Sequence, residues 1–416
     1  MGSIQAVRGM KDLLPPEART WQRLEAVARR VLAAFGFGEI RTPVLEKTEL
    51  FARSIGEATD IVEKEMYTFT DRSGESLTLR PEATAGVVRA FLEHKLYAQP
   101  GPHRLFTIGP MFRHERPQKG RLRQFHQIDV EVFGDLGPVS DAELIVLLDH
   151  LLRRLGVEQV VIKLNSLGCP RCRPDYRRAL VDFLDARRTR LCPDCRRRLE
   201  ANPLRVLDCK QEGCREVAAQ APVVTEFLDQ DCREHFARVQ ELVRACGVDC
   251  RLEPRLVRGL DYYLRTTFEA AAAGLGAQDA VAGGGRYDGL VTELGGPEVG
   301  AIGFAIGVER LALLLGEQPP APGPELFVAA LGPAARDWAF PRVQQLRRAG
   351  RRVEMSLEDK SLKAQMRRAH KLGAARVLIV GDQELAQGRA PLKDMASGQQ
   401  EEIPLESLAA RLGAEG

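Results

Sequence analysis

Arg116, Lys119, Arg121 and Arg123 crowd into eight residues between two apolar-rich runs, in the segment LFTIGPMFRHERPQKGRLRQFHQIDVEVFG from Leu105. Cations at that density suit a phosphate-rich ligand, because guanidinium forks and ammonium groups pair with phosphate oxygens. On the returning run Gln127, Asp129 and Glu131 alternate with Ile128, Val130 and Val132, so a strand turns the three polar groups to one face. Arg113 and Glu115 share a parity on the outgoing run and set a fixed cation and a carboxylate opposite that row. Such a mixture suits a site that holds anionic phosphates while discriminating a polar ligand. The plain alternative is a hairpin with a solvated polar side and a soluble basic turn. A loop longer than most hairpin turns, with one Gly and one Pro amid four cations, favours binding over that alternative.

Other residues bear chemistry too. Glu82 and Thr84 stand at the start of an expected helix, where capping and the macrodipole alone would account for them. The blocks Arg258-Gly259-Leu260-Asp261-Tyr262-Tyr263 and Gly283-Gly284-Gly285-Arg286-Tyr287-Asp288-Gly289 lie downstream, followed by the glycine-spaced Gly300 to Arg310. Neither glycine cluster matches GxGxxG or GxxxxGK[ST], which disfavours a Rossmann or P-loop site. The glycines are expected instead where backbone closely approaches a ligand or another strand. Six of the nine cysteines fall between Cys169 and Cys214. Cys169, Cys172, Cys192 and Cys195 have C-x2-C-x19-C-x2-C spacing, which lies in the range of structural zinc sites. Cys209 and Cys214 offer alternative ligands, and buried free thiols remain the competing reading.

Helices and strands must position these groups. Trp21, Leu24, Val27, Val31, Leu32 and Phe35 recur at helical spacing from Pro15, and Gly36 and Gly38 end the pattern. A strand from Glu39 to Leu45 contains Pro43, which points to an edge, a bulge or a subunit boundary. Ser76 to Arg80 reads as a short strand, with Thr84 as cap of a helix from Ala85 to Leu96. Strands are expected at 160–164 and 252–256, with a Cys- and Arg-rich, helix-like insertion between them. Four prolines in the seven residues from Gln318 to Pro324 read as an extended linker. Beyond it, alternating strand and helix patterns make a small α/β unit. Its helix near Lys360 to Lys371 carries five cations, a candidate nucleic-acid face or a solvated basic surface.

At 416 residues the chain should hold two or three domains. Hydrophobic residues at 44% and charged residues at 28% describe a soluble globular protein with no membrane-spanning run. A net charge of +3 from 60 basic and 57 acidic residues gives no bulk nucleic-acid signature, so such contact must come from local patches. The N-terminus lacks a signal pattern and Ala6 breaks the myristoylation motif, so a cytoplasmic location and metal or free thiols rather than disulfides are expected.

Together these pieces resemble a class II aminoacyl-tRNA synthetase, and within that class the histidyl-tRNA synthetase family, over nearly the whole chain. The first helix with the Pro43 strand is similar to the dimer-forming motif of the class. Phe112-Arg113-His114-Glu115 through Gln127 is similar to its second motif and Gly303 to Arg310 to its third. The RGLDYY and GGRYD blocks are similar to the two stretches peculiar to histidine enzymes. The resemblance implies an α+β fold: a class II antiparallel sheet flanked by helices, with a helix-rich insertion and a C-terminal α/β anticodon-binding domain. The expected divisions are 1–165 for the first part of the catalytic core, 166–250 for the insertion and 251–317 for the second part. A linker at 318–324 and the anticodon-binding domain at 325–416 follow.

The implied activity is ATP-dependent activation of L-histidine to histidyl-adenylate, then transfer to tRNA(His), by a cytoplasmic homodimer with no membrane partner. Carried over by position, Arg113 holds the α-phosphate, Glu115 the adenine amine, and Phe125 and Arg310 the two adenine faces, with Arg121 also at the ATP. Glu82, Thr84 and Gln127 take the α-amino group of histidine. Glu131 and Tyr263 read the imidazole beside Tyr262, and Arg258 bridges the carboxylate and α-phosphate as a catalytic cation with Arg113. Mg2+ enters with the ATP phosphates, and Arg116 and Gln118 meet the tRNA acceptor end. Ala83 departs from the glycine often found there in the family. A competing reading is a catalytically inactive, synthetase-like regulatory subunit of ATP phosphoribosyltransferase. Such proteins lack the C-terminal domain and have eroded pockets.

Overall fold

The structure, a computed structural model, describes residues 3–56, 59–118, 120–134, 137–157, 159–273, 279–316 and 322–408. It divides into two compact units, Met1–Gln318 and Pro319–Gly416. Of the expected linker, 318–321 lie outside the described residues.

In the first unit, strands His103–Phe112 and Gln124–Phe133 pair antiparallel from His103 opposite Phe133 to Phe112 opposite Gln124. They anchor an eight-stranded sheet. Its order is Gly38–Glu39, His103–Phe112, Gln124–Phe133, Ala301–Gly307, Ala280–Arg286, Leu264–Ala272, Val160–Ser166 and Cys250–Leu252. Only the two edge pairings are parallel. The antiparallel sheet flanked by helices is therefore the one expected.

Alternation decides which face is which. Ile128, Val130 and Val132 bury against helices Pro15–Ala34, Pro138–Leu155 and Gln230–Ala245, in one core with Leu24, Leu32, Leu144, Leu148, Val239, Ile302 and Ile306. Each such aliphatic side chain contributes about 1.5–3 kcal/mol relative to exposure. Proline opens two of these helices, where its missing N–H costs nothing. The opposite sheet face carries the polar row and remains open to a ligand.

Several boundaries differ from expectation for physical reasons. The strand expected from Glu39 to Leu45 splits into Gly38–Glu39 in the large sheet and Leu45–Lys47 in a separate three-stranded sheet with Tyr67–Thr70 and Ser76–Leu79. Pro43 falls in the gap, where no ladder donor is required. The outgoing hairpin strand stops at Phe112, so Arg113 and Glu115 lie beyond it. Their backbones still follow the hairpin, since the Arg113 N–H bonds the Arg123 carbonyl at 2.9 Å. The helix after Glu82 runs Thr84–Glu93, and Thr84 does not cap it.

Within the stretch read as an insertion, helices Arg173–Asp185, Pro193–Ala201 and Glu212–Ala218 share a small core around Tyr176, Leu180, Leu199, Val206 and Val217. The following helix, Gln230–Ala245, instead sends Phe236, Val239 and Val243 into the main core. In the second unit Val353–Met355, Leu326–Ala330 and Arg376–Val380 are parallel, connected by helices Pro333–Arg348 and Leu362–Lys371. A hairpin, Arg389–Asp394 and Gln400–Pro404, extends that sheet. The basic helix exposes Lys363, Arg367, Arg368 and Lys371 while burying Gln365 and Ala369.

Candidate active site

Register builds the pocket floor. Gln127, Asp129 and Glu131 stand opposite Gly307, Ala305 and Gly303 on the neighbouring strand. Ala305 and Gly303 in turn oppose Gly283 and Gly285. Cross-strand neighbours share a face, so each polar side chain rises beside a residue too small to cover it. A Cβ on Gly303 would overlap the Glu131 carboxylate, and one on Gly283 would overlap the Arg258 guanidinium. Gly283 and Gly303 therefore admit close side-chain approach, which differs from the close backbone approach expected of the cluster; Gly284, packed against the Gly303 carbonyl of the neighbouring strand, is where that expectation holds.

Above that floor, Glu82, Thr84, Arg113, Glu115, Arg121, Phe125, Gln127, Glu131, Arg258, Tyr262, Tyr263 and Arg310 all line one cavity. Arg116 and Gln118 do not line it. They are exposed on the hairpin loop, where Gln118 bridges to Arg121 across the turn.

The inner end is acidic and buried. Glu82 accepts the backbone N–H groups of Thr84 and Ala85, both at 2.8 Å. Glu82, rather than Thr84, is thus the helix cap, and its side chain still reaches the cavity wall. Ala83 sits at φ −97°, a conformation that needs no glycine. The Thr84 hydroxyl donates to Glu131 Oε1 at 2.7 Å, and the Tyr287 hydroxyl donates to Glu131 Oε2. Burial pushes the Glu131 carboxyl up to about 8, only partly offset by those two hydroxyls. Burial, reinforced by Glu131 and Glu82, raises Asp129 well above the usual carboxylate range, and burial raises Glu82 too. Three carboxyls sharing a desolvated space resist ionising together, so the site favours a cationic guest. Tyr263 is pushed up to about 12 by burial and stays a neutral hydroxyl.

Toward the mouth, Arg113 donates Nε to the Pro81 carbonyl at 2.8 Å and lies 5.3 Å from the Phe125 ring centroid. Glu115 pairs with Arg121 at 2.9 Å. Arg310 donates to the Ala280 carbonyl. Arg258 pairs with Glu269 at 3.1 Å, yet its Nε, like Gln127 Oε1 and Asp129 Oδ2, is buried with no partner among the described residues. Buried polar atoms without partners are costly, and three of them aimed into one cavity mark it as a place where a polar ligand would bond.

Two lining residues were missed. Asp129 belongs to the polar row, and its alternation with Glu131 places it at the site, though the resemblance assigns it no role. Tyr287 stands out in the sequence only as part of the GGRYD block, and nothing local signals that it orients Glu131. Its neighbour Arg286 serves the scaffold: fully buried, it bonds Asp141 through Nε at 2.9 Å and Asp288 at 2.9 Å. His235 holds the other Asp141 oxygen at 2.8 Å.

The zinc quartet is corrected. Cys169, Cys172, Cys192 and Cys195 do not converge. Cys192 and Cys195 group with Cys209 and Cys214, whereas Cys169 and Cys172 group with Cys232 and Asp229. Each CxxC pair is a local turn, and linear spacing carries no information on which distant turn it meets. Among the described residues these two are the groups of three or more His, Cys, Asp or Glu side chains whose ligand atoms all lie within 4.8 Å of one another.

The sequence model of the histidyl-tRNA synthetase family matches residues 9–311, and that of the anticodon binding domain matches residues 325–415. The chain is 54% identical to the histidine–tRNA ligase of Syntrophotalea carbinolica, covering 98% of this chain and 97% of that one. It is also 54% identical to the same ligase of Geobacter sulfurreducens, covering 98% and 100%. Among solved structures, apo histidyl-tRNA synthetase of S. aureus superposes with a TM-score of 0.83 at 34% identity, covering 98% of this chain and 99% of that one. A structure named as an ATP phosphoribosyltransferase regulatory subunit/histidyl-tRNA synthetase from Bacillus halodurans matches at 0.67 with 21% identity, covering 92% and 99%, which speaks to fold alone. The chain belongs to the histidyl-tRNA synthetase family.

Proposed function

We infer that the chain activates L-histidine with ATP and transfers it to tRNA(His), acting as a histidine–tRNA ligase. One observation carries this reading. Four segments far apart in sequence, around Glu82, the 113–131 hairpin, the 258–263 loop and Arg310, converge on one cavity with an acidic inner end and a cationic mouth. Histidine fits the first by its α-ammonium and imidazole. ATP fits the second by its phosphates and base.

In the proposed arrangement Glu82, Thr84 and Gln127 receive the α-amino group, with Asp129 beside them. Glu131, held by Thr84 and Tyr287, faces one imidazole nitrogen and Tyr263 the other. A ligand lacking either nitrogen leaves one buried group unpaired, so discrimination of roughly 10⁴-fold arises without an editing site. Arg113 and Arg258 steady the charge on the α-phosphate as a histidine carboxylate oxygen bonds to its phosphorus and pyrophosphate departs. Glu115, positioned by Arg121, receives the adenine amine, while Phe125 and Arg310 flank the ring. Magnesium, when bound with ATP, neutralises triphosphate charge. Near the mouth, Glu115 and Glu309 are already engaged by Arg121 and His126, a donor set that suits an ion carried by the phosphates rather than caged by protein.

Arg116 and Gln118, exposed on the hairpin loop, are assigned to the tRNA acceptor end, and residues 325–416 to the anticodon region. Assembly as a homodimer and a cytoplasmic location complete the proposal on family resemblance. The regulatory-subunit alternative is disfavoured by the intact pocket and by the matched C-terminal domain. Charging of unfractionated tRNA with labelled histidine tests the transfer step. A chain ending at Pro324 is expected to keep histidine activation and lose most charging. Equal charging by the shortened chain would remove the C-terminal assignment.

A further inference from the structure

Two clusters of ligating side chains in and beside the insertion take no part in the chemistry above. In one, Cys192, Cys195, Cys209 and Cys214 bring their sulfurs within 4.8 Å of one another. In the other, Cys169, Cys172, Cys232 and a carboxylate oxygen of Asp229 do the same. All seven thiols are free. A disulfide would hold two sulfurs about 2.05 Å apart. Here Cys172 Sγ lies 3.6 Å from Cys169 Sγ and 3.9 Å from Cys232 Sγ, and Cys192 Sγ lies 4.0 Å from Cys209 Sγ. Zinc–sulfur bonds of about 2.3 Å at the tetrahedral angle require sulfurs about 3.8 Å apart. These three pairs stand close to that separation, and every ligand atom of each set lies within 4.8 Å of the others.

Backbone donors point at several of these sulfurs. The Cys169 N–H points to Cys172 Sγ at 3.0 Å, the Cys195 N–H to Cys192 Sγ at 3.4 Å and the Cys192 N–H to Cys214 Sγ at 3.2 Å. Asp229 presents Oδ2 at 3.2 Å from Cys169 Sγ while its Oδ1 accepts the Cys232 N–H at 2.8 Å. Buried cysteine as a small apolar residue explains exclusion from water but not fourfold convergence achieved twice.

We propose that the chain binds two structural zinc ions, one held by Cys192, Cys195, Cys209 and Cys214, the other by Cys169, Cys172, Cys232 and Asp229. Zinc is the metal of choice for closed tetrahedral sulfur-rich sets. The two ions have different tasks. Cys169 and Cys172 follow directly on strand Val160–Ser166, and Cys232 opens the helix Gln230–Ala245 that returns to the main core. The mixed site therefore clamps the entrance of the insertion to its exit, closing a long loop whose entropy otherwise opposes folding. The four-cysteine site lies wholly within the insertion and cross-links its short helices. The clamp also touches the catalytic loop: Arg173, next to Cys172, donates Nη2 to the Tyr263 carbonyl at 2.6 Å.

Elemental analysis of the full chain, isolated without chelators, is expected to give two zinc ions per chain. Cys209→Ser and Cys214→Ser variants should each retain one, as should Cys169→Ser and Cys232→Ser, the two pairs emptying different sites. On the unmodified protein, which avoids any folding defect of the variants, mercurial titration should release zinc to a colorimetric dye in two steps. Zinc-edge X-ray absorption should show mainly sulfur with a minority of oxygen ligands. Absence of stoichiometric zinc, a single ion, or iron in its place would overturn the proposal.

Discussion

Glu131→Gln separates stability from recognition, because the wild-type carboxyl works against the fold and for the substrate. Glutamine keeps the shape and can still meet the Thr84 and Tyr287 hydroxyls that bond Oε1 and Oε2 in the parent. A glutamate in the unfolded chain titrates near 4.3, whereas in the folded protein burial lifts Glu131 to about 8. Between those values the folded state binds a proton that the unfolded state does not. Wild-type stability relative to the variant is therefore greatest below the lower value and declines as pH rises toward 8. The gap sets a ceiling of about 5 kcal/mol on the decline due to Glu131 itself; in the variant Asp129 loses a like neighbour, so its carboxyl comes down and the two profiles separate further. Function should move oppositely: losing a charge-assisted hydrogen bond to imidazole costs about 1.5–3 kcal/mol, or about 10- to 150-fold in kcat/KM for histidine. Denaturant unfolding of ligand-free protein from pH 5 to 9, paired with histidine-dependent pyrophosphate exchange, measures both. Parallel stability profiles for the two proteins, or unchanged kcat/KM in a folded variant, would refute the reasoning.

Arg258→Ala should lower the activation rate by about two to three orders of magnitude with far less loss of histidine affinity. An unchanged rate in stopped-flow measurements would leave only the structural ion pair with Glu269. Gly303→Ala places a methyl against the Glu131 carboxylate and the Val130 carbonyl, costing about 1–3 kcal/mol in stability. Histidine KM should rise in that variant while ATP KM changes little. Asp141→Asn uncouples the buried Arg286 and His235 and should destabilise the chain by about 3–5 kcal/mol, seen as a lowered Tm with exchange activity preserved at low temperature.

How much of this was legible in the sequence follows from which interactions are local. Parity along Gln127 to Glu131 and glycine spacing from Gly283 to Gly307 are one-dimensional signals, and the sheet register turns both into the pocket floor. Pro43 is incompatible with a central strand, a local signal, and the strand breaks there between Gly38–Glu39 and Leu45–Lys47. The cysteine partners were invisible because Cys232 lies 60 residues from Cys172 in sequence and meets it only through the tertiary fold. Tyr287 likewise reaches Glu131 across 156 residues. The hairpin at 389–404 escaped because its last strand, QEEIP, is mostly exposed and polar. Glu82 satisfied the plain reading and the functional one together, capping a helix while lining the cavity.

The central claim is that this pocket reads both nitrogens of histidine and joins the amino acid to AMP. Pyrophosphate exchange into ATP by the purified chain, run with histidine, phenylalanine and histidine analogues lacking one ring nitrogen, addresses it without tRNA. The account predicts exchange with histidine and a fall of roughly 10⁴-fold for a ligand lacking either nitrogen. Folded, magnesium-supplied protein that shows no exchange, or exchanges as well with phenylalanine, would contradict it.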